Sequence, residues 1–434
     1  MPILIKGARV IDPGNLDGKR DILIKDGIID AIFDPIGQSG QSGQSGQSDV
    51  HVVDASGMIA VPGLIDIHVH LREPGHEYKE TIESGLKAAA KGGFTAVCSM
   101  PNTNPVNDNG QVTSFIINKG KSAGGAKVYP VGAISQGSQG TSLAEIHDMQ
   151  QAGIKAVTDD GLPVESSQLM RRALEYCKAL SIPIFVHAED KSLANGGSMN
   201  EGPHATFWGI KGIPNAVESI MVVRDIALAE LTKGYVHFCH ISTSESIEAI
   251  RQAKKRGINV SCETAPHYFT LTDEAVKDYD TNFKMNPPLR SGKDRKAVIQ
   301  GLIDGTIDLI ASDHAPHSVD EKDVEFERAA FGIVGLETSL PLSLKLVQDG
   351  YLSLTDLVVK MSKHPARMLG IDNDIKPGNP ADLTLIDPDI RYEIDPAKFI
   401  SKGRNTPFGG RQVRGEAFLT MVDGKIVYEK EKLR

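Results

Sequence analysis

The sequence predicts an α/β fold, a (β/α)8 TIM-like barrel joined to a small discontinuous β-sandwich domain that both termini build. From residue 64 to residue 313, short apolar runs rich in β-branched residues alternate with helical patterns, as in parallel β/α units. Eight such runs occur there, which is the number of strands in a TIM barrel. The chain before residue 60 and after residue 370 is dominated by β-like runs instead. These three observations set the predicted architecture.

The first part of the β-sandwich is predicted over residues 1–60. Its β-like runs are residues 3–5, 8–11, 21–24, 28–32 and 50–53. Residues 25–27, Lys-Asp-Gly, are a hairpin signal between two of these runs. Residues 37–48 are four Gly-Gln-Ser repeats. Such a composition buries no apolar surface, so we expect a flexible insertion there.

The barrel is predicted over residues 61–370 and the second part of the β-sandwich over residues 371–434. The eight barrel strands are expected near residues 64–70, 95–100, 127–131, 154–159, 183–187, 235–240, 259–263 and 308–313. Helical patterns between them include residues 80–91, 166–179, 216–231 and 244–256. Residues 378–387 and 418–428 read as strands of the terminal domain, with Asp423 and Gly424 as a hairpin turn.

Composition and charge exclude several classes of protein. The 434-residue chain has a formal net charge of −9 and a pI near 5.8, which argues against a nucleic-acid or anionic-membrane surface. No apolar run reaches the ~20 residues that span a bilayer, and the first residues lack a secretory h-region. The four cysteines have no Cys-X-X-Cys spacing, so we expect reduced thiols in a cytoplasmic protein.

The first barrel strand ends in a pattern that indicates a metal site. Residues 62–75 read PGLIDIHVHLREPG, an apolar strand that ends in His-X-His and breaks at Pro-Gly. Side chains at positions i and i+2 of a strand share a face, so His68 and His70 point the same way. Two imidazoles that converge on one point suit zinc or a similar divalent ion. Arg72 continues the same series.

Further histidines and aspartates end four more of the predicted strands. In a barrel, catalytic residues lie at the carboxyl ends of strands, so these side chains should converge with His68 and His70. Together they predict a dinuclear metal site. The candidates are Asp159 and Asp160 on strand 4, His187 on strand 5, His237 and His240 on strand 6, and Asp313 on strand 8.

The segment 62–70 resembles the opening strand of the amidohydrolase superfamily, and its continuation LREPG resembles the dihydroorotases. The resemblance covers nearly the whole chain except the Gly-Gln-Ser repeats. It implies that His68, His70 and Asp313 hold one metal, and that His187 and His240 hold the second. It also implies an aspartate bridge between the metals and favours Asp160, which strand alternation alone does not separate from Asp159. His237 is set aside because the family's histidine directly precedes the Ile-Ser-Thr run.

The resemblance also implies a substrate pocket. Arg72, Asn102 and His317 would bind a carboxylate, with His70 beside it. Asn286 and the backbone of Phe331 and Gly332 would meet a ring amide. A planar guanidinium is suited to bidentate carboxylate binding, which agrees with the place of Arg72.

The activity that the resemblance implies is zinc-dependent dihydroorotase. A hydroxide held by two Zn²⁺ ions per subunit would hydrolyse the cyclic amide of (S)-dihydroorotate reversibly to N-carbamoyl-L-aspartate, a reaction of de novo pyrimidine biosynthesis. Asp313 would carry the proton to the ring nitrogen. The expected form is a homo-oligomer, and the resemblance allows an association with aspartate transcarbamoylase.

Two alternatives remain open from the sequence. One is another cyclic-amide hydrolase, such as a hydantoinase, dihydropyrimidinase or allantoinase, although those families tend to bridge their metals with a carboxylated lysine. The other is a non-catalytic dihydroorotase-like partner of aspartate transcarbamoylase, which predicts missing metal ligands.

Overall fold

A computed structural model describes residues 1–35 and 50–431 of the chain. The predicted flexible insertion at residues 37–48 lies outside the described residues. Strands are numbered β1–β18 and helices α1–α14 in chain order.

Both termini contribute to one eight-stranded sheet. The strands follow the order β18-β17-β16-β5-β1-β2-β3, and β4 pairs in parallel with β1. The terminal segments meet where β5 pairs antiparallel with β16. The domain limits near residues 60 and 370 stay a prediction. The strands are β1 Ile3–Asp12, β2 Leu16–Lys25, β3 Ile28–Phe33, β4 His51–Asp54, β5 Ile59–Pro62, β16 Leu383–Glu393, β17 Gln412–Val422 and β18 Lys425–Glu429.

The second sheet is the barrel. Its eight strands pair in parallel in their order along the chain, and a bridge between Val69 and His314 joins the last strand region to the first. This arrangement confirms the predicted (β/α)8 fold. The strands are β6 Leu64–Val69, β7 Phe94–Ser99, β8 Lys127–Gly132, β9 Ala156–Val157, β10 Ile184–Val186, β13 Val236–Phe238, β14 Val260–Thr264 and β15 Leu309–Ile310. A separate short pair consists of β11 Met199–Asn200 and β12 Gly212–Ile213.

Helices connect the barrel strands. The longer ones are α1 Ile82–Lys91, α2 Gly110–Ala123, α3 Ile146–Ala152, α4 Ser167–Leu180, α7 Ala216–Thr232, α8 Ser244–Lys255, α10 Gly292–Ile303 and α12 Leu336–Gln348. The shorter ones are α5 Lys191–Ala194, α6 Pro203–Trp208, α9 Pro266–Thr270, α11 Val319–Lys322, α13 Leu354–Val358 and α14 His364–Leu369. A π-helical turn, Val359–Lys363, connects α13 to α14. Of these described helices, none combines the length and apolar character needed to cross a membrane.

Local sequence signals set where the helices around the site begin. Thr243 caps α8 by accepting a hydrogen bond from the backbone N–H of Ser246. Ile247 and Ile250 are then buried on one face of α8 and belong to the main core. Because Thr243 closely follows β13, the cap fixes the point at which the chain turns away from the barrel wall.

Candidate metal centre and substrate pocket

The candidate site lies where the barrel strands end. His68 belongs to β6 and His70 follows it directly, while His187 follows β10 by one residue. His240 and Asp313 lie two and three residues beyond the last residues of β13 and β15. The structure therefore places these predicted ligands at one end of the barrel.

Three side chains form the first candidate metal site. Oδ1 of Asp313 lies 3.3 Å from Nε2 of His70 and 3.6 Å from Nε2 of His68. The ligand atoms of these three residues all lie within 4.8 Å of one another, and all three side chains are buried. They can therefore offer two imidazole nitrogens and one carboxylate oxygen to a single divalent ion.

Asp160 lies between this group and the second pair of histidines. Its Oδ1 is 3.4 Å from Nε2 of His68, 3.7 Å from Nδ1 of His187 and 3.9 Å from Nε2 of His240. Its Oδ2 is 3.5 Å from Nε2 of His70. Nδ1 of His187 and Nε2 of His240 are 2.9 Å apart. A carboxylate in this position can reach both groups of histidines.

The donor atoms fit a divalent metal. Among the described residues, Nε2 of His68 and Oδ1 of Asp160 are buried without a hydrogen-bond partner. A buried polar atom without a partner costs about 1–3 kcal/mol. These two atoms face each other at 3.4 Å, where both can coordinate a cation. Neutral imidazoles and carboxylates are the ligand types that zinc and similar ions take.

Both aspartates are held in the ionised form that a metal requires. Burial raises the pKa of Asp160, but the surrounding His68, His240 and His70 outweigh it and hold that pKa well below its usual range. Burial likewise raises the pKa of Asp313. The hydrogen bond to His70 and the charges of His68 and His240 have a larger effect, so the net pKa is lowered. The cluster therefore contains two carboxylates that stay charged.

Asp159, the other candidate on strand 4, points elsewhere. Its carboxylate accepts hydrogen bonds from the backbone N–H groups of Ile134 and Ser135 at 2.8 and 3.1 Å, and from the Ser135 hydroxyl. These bonds anchor the loop that follows β8. The strand here, β9, is shorter than the predicted 154–159 and covers only Ala156–Val157.

Two glutamates orient the candidate ligand histidines, and the sequence reasoning missed both. Oε1 of Glu263 accepts from Nδ1 of His68 at 2.7 Å, and Oε2 of Glu189 accepts from Nε2 of His187 at 3.0 Å. Each bond leaves the other ring nitrogen facing the cluster. Burial opposes ionisation of Glu263, but hydrogen bonds from His237 and His68 lower its pKa to about 2. The rule that placed the histidines at strand ends also applies to Glu263, at the end of β14.

His237 lies away from the candidate metal ligands. Its Nδ1 is 2.7 Å from the Ser261 hydroxyl and its Nε2 is 3.2 Å from Oε2 of Glu263. Both nitrogens therefore have partners. Its indirect contribution is to hold the carboxylate that orients His68.

Three site residues have backbone dihedral angles that side chains rarely adopt. The φ angles of Arg72, His240 and Asp313 are 63°, 34° and 49°. Positive φ is uncommon outside glycine, and such residues cluster at functional sites, where the surrounding structure maintains the strain. In each case the chain has just left a barrel strand.

A cavity of about 420 Å³ opens onto the cluster. Nη2 of Arg72 lies 3.3 Å from Nε2 of His317, and Nε of Arg72 donates to the Pro316 carbonyl at 3.2 Å. The structure thus brings these predicted substrate residues together at the cluster. The lining includes Arg72, Asn102, Asn286, His317, Phe331 and Gly332, together with His70, Asp160, His187, His240 and Asp313.

The two asparagines of the pocket also contact the candidate metal ligands or their support. Asn102 accepts from Nδ1 of His70 at 3.0 Å and donates to Oδ2 of Asp160 at 3.3 Å. Asn286 donates to Oε2 of Glu189 at 3.1 Å. Their amides therefore join the pocket to the cluster.

The sequence comparisons with known proteins agree on one family. A family model described as dihydro-orotase-like matches residues 57–246. A dihydroorotase of Desulforapulum autotrophicum is 62% identical over 431 residues, which cover 99% of this chain and 100% of that protein. A dihydroorotase of Geobacter metallireducens is 54% identical over 432 residues, with 99% and 100% covered.

A solved structure shows the same architecture. The L-hydantoinase (dihydropyrimidinase) of Arthrobacter aurescens matches with a TM-score of 0.86 at 27% identity and covers 99% of this chain and 96% of that one. The full-length relatives are about twice as similar in sequence as this structural neighbour. They confirm the family indicated by the segment 62–75, and the chain belongs to the dihydroorotase family.

Proposed function

We propose that this chain catalyses the reversible hydrolysis of (S)-dihydroorotate to N-carbamoyl-L-aspartate. The observation that carries the proposal is the position of Arg72 on the wall of the cavity that opens onto the histidine–aspartate cluster. Its Nε donates to the Pro316 carbonyl, and its Nη2 lies 3.3 Å from Nε2 of His317. Among the described residues, its side chain has no hydrogen bond to a carboxylate. A guanidinium in this position is suited to a substrate that carries its own carboxylate next to a cyclic amide.

The metal centre we propose contains two Zn²⁺ ions per subunit. His68, His70 and Asp313 would hold one ion, His187 and His240 would hold the other, and Asp160 would contact both. Bound divalent ions supply Lewis-acid polarisation of the amide carbonyl and activation of a water molecule. The unpartnered Nε2 of His68 and Oδ1 of Asp160 support this assignment.

The chain's own residues then position the substrate and move the proton. Arg72, assisted by Asn102, His317 and His70, would hold the substrate carboxylate, while Asn286 and the backbone of Phe331 and Gly332 would hold the ring amide. Asp313 is the proposed general base and acid. It would take a proton from the attacking water and deliver it to the ring nitrogen as the amide bond breaks. Its lowered pKa means that it starts ionised, as a base must.

An aspartate bridge distinguishes this proposal from a centre built on a carboxylated lysine. Lys155 is the lysine of the predicted strand 4, and its Nζ lies 5.5 Å from the ring centroid of Tyr129. Asp160 is the acidic group that the cluster surrounds. We therefore propose a bridge that needs no carbon dioxide to form.

A substrate panel tests the proposal. Metal-loaded protein should hydrolyse dihydroorotate, and should form it from N-carbamoyl-L-aspartate at lower pH. Hydantoin and dihydrouracil, which lack the carboxylate, should be poorer substrates by about 100-fold in kcat/KM, as expected when a buried cation is left without its partner. Equal turnover of hydantoin would assign the cavity to a different cyclic amide.

We also propose that the protein acts in the cytoplasm as a homo-oligomer, with an association with aspartate transcarbamoylase as a further expectation. The four cysteines are buried and free, which suits a reducing compartment. Light scattering of the pure protein, and of its mixture with aspartate transcarbamoylase, measures both forms of assembly.

A further inference from the structure

The ammonium group of Lys322 is surrounded by backbone carbonyls. Lys322 ends the short helix α11, five residues after His317, and its side chain is buried. Its Nζ donates to the carbonyls of Ala330, Gly332 and Lys284 at 2.8, 3.1 and 3.2 Å. An ammonium has three N–H donors, so this one group uses all of them on the main chain.

A second buried lysine lies beside it. Lys284 is 2% exposed, and its Nζ donates to the carbonyls of Phe326 and Glu327 at 2.8 and 2.9 Å. The same Nζ lies 4.4 Å from the centre of the Phe331 ring, within the range of a cation–π contact. Both lysines therefore contact the segment 326–332, which we call the Phe331 loop.

These contacts join three segments that each carry a proposed substrate residue. Lys322 belongs to the segment that carries His317, Lys284 precedes Asn286 by two residues, and the Phe331 loop contains Phe331 and Gly332. The backbone completes the connection, because Gly332 N–H donates to the Lys284 carbonyl at 3.0 Å.

The loop is also held closely on its other sides. The Phe331 carbonyl lies 2.8 Å from Nε2 of His317. The Asn405 amide donates to the carbonyls of Gly332 and Ala315, both at 3.0 Å. Gly332 has a φ of +131°, and a Cβ there would lie 2.7 Å from the Cβ of Ala315. A small displacement of the loop would therefore disturb His317 as well.

Burying two ammonium groups against carbonyls costs folding free energy. This cost argues that the two lysines have a specific role. All five hydrogen bonds of the two ammonium groups go to carbonyls, which are weaker partners for a cation than carboxylates. Burial, together with the charge of Lys284, lowers the pKa of Lys322 to about 7. Burial lowers the pKa of Lys284 to about 8. A buried apolar side chain of similar length would avoid this cost.

We propose that Lys284 and Lys322 are positioning residues that hold the Phe331 loop in the geometry that binds the substrate ring. The inference rests on the proposed function, since it takes Phe331, Gly332, Asn286 and His317 as substrate contacts. Neither lysine lines the cavity with these residues. Lys322 therefore acts through the loop's backbone carbonyls, and Lys284 acts through carbonyls and the Phe331 ring. Their removal should weaken substrate binding more than it slows the chemical step at the cluster.

The matched control is Lys360, a third buried lysine. Lys322 and Lys360 are each 6% exposed, and Nζ of Lys360 donates to the Ile307 carbonyl at 2.7 Å. Ile307 precedes β15, at the opposite end of that strand from Asp313. Lys360→Met therefore removes a buried cation and its carbonyl bond without touching the Phe331 loop.

The experiment compares Lys322→Met, Lys284→Met and Lys360→Met with the wild type, all metal-loaded. The two loop variants should raise the KM for dihydroorotate about tenfold with a smaller change in kcat, and metal content should stay at the wild-type level. Amide hydrogen exchange over residues 326–332 should accelerate in the same two variants. Lys360→Met should lower the melting temperature while leaving KM and this exchange unchanged.

The outcomes separate the two proposals. An unchanged KM in Lys322→Met, or an equal rise in Lys360→Met, would overturn the positioning role. Lys322→Gln retains an amide donor and covers the case in which the Met variant does not fold; an intermediate KM supports the role, and a wild-type KM contradicts it. If the wild type does not turn over dihydroorotate, the proposed function fails. Unaltered exchange in the loop variants would still refute the positioning role.

Discussion

Oε1 of Glu263 lies 2.7 Å from Nδ1 of His68, and both side chains are completely buried. The carboxylate accepts the Nδ1 proton and so fixes the tautomer in which Nε2 carries the lone pair. That Nε2 faces Asp160 and Asp313 at 3.4 and 3.6 Å. The orientation of His68 as a proposed metal ligand therefore depends on Glu263.

Glu263→Gln should weaken metal binding by about 10–100-fold, the usual effect of losing a partner that orients a metal-ligating histidine. Competition with a chromophoric zinc chelator measures it. Asp225→Asn, which changes a buried carboxylate paired with Arg224 on α7, is the control and should retain wild-type affinity. Equal affinities for all three proteins would exclude the orienting role of Glu263.

Arg72→Met should reduce turnover of dihydroorotate severely while leaving bound metal near the wild-type level. The guanidinium lies in the cavity 3.3 Å from His317 and donates to the Pro316 carbonyl. Among the described residues it makes no hydrogen bond to a proposed metal ligand. Metal analysis and kinetics on the same sample check this directly. If the variant lost metal and activity together, Arg72 would instead be a residue that stabilises the metal centre.

The sequence predicted the barrel and the convergence of its polar strand ends because both depend on local periodicity and on a general rule of the fold. It did not predict the residues that orient the candidate ligands or that hold the loop beside the substrate pocket. Glu263 and His68 are 195 residues apart in the sequence. Lys322 donates to backbone carbonyls of a loop, and no residue type in a sequence marks the carbonyls that will accept such a bond. Asp159 and Asp160 could not be separated by alternation, because the chain leaves β9 just before them and alternation ends with the strand.

Asp313→Asn should lower kcat by orders of magnitude even in samples that retain metal. An amide at this position can still approach His70 but cannot accept the proton of the attacking water. Stopped assays with enough enzyme to detect about 0.1% of wild-type activity give the needed range. Near-native turnover would assign the proton transfer to another group.

Lys322 should impose a recognisable pH dependence on stability. Its pKa falls from the usual 10.5 to about 7 in the folded protein, so the unfolded state binds more protons between these values. Stability should therefore rise with pH across this window, by at most about 1.4 kcal/mol per pH unit from this group. Chemical denaturation of wild type and Lys322→Met at each pH isolates the contribution as a difference. A difference that is flat from pH 7 to 10 would contradict it.

Asp160 should bridge the two metals without carbon dioxide. The cluster surrounds Asp160, whose Oδ1 lies 3.4–3.9 Å from nitrogens of His68, His187 and His240. A carboxylated lysine forms only when carbon dioxide is present, whereas an aspartate is always available. Apo-protein reconstituted with zinc in buffer free of carbon dioxide should therefore recover full activity, and added bicarbonate should not increase it.

Two variants of strand 4 complete this test. Asp160→Ala should lose the second metal first, because His187 and His240 alone make a poor site while His68, His70 and Asp313 remain for the first. Asp159→Ala should keep both metals but lower stability by about 1–3 kcal/mol, because it leaves the buried N–H groups of the loop after β8 without their acceptor. Metal counting on both variants, with and without bicarbonate, decides the assignment. Bicarbonate-dependent recovery, or two metals and a normal rate in Asp160→Ala, would return the bridge to a lysine or to Asp159.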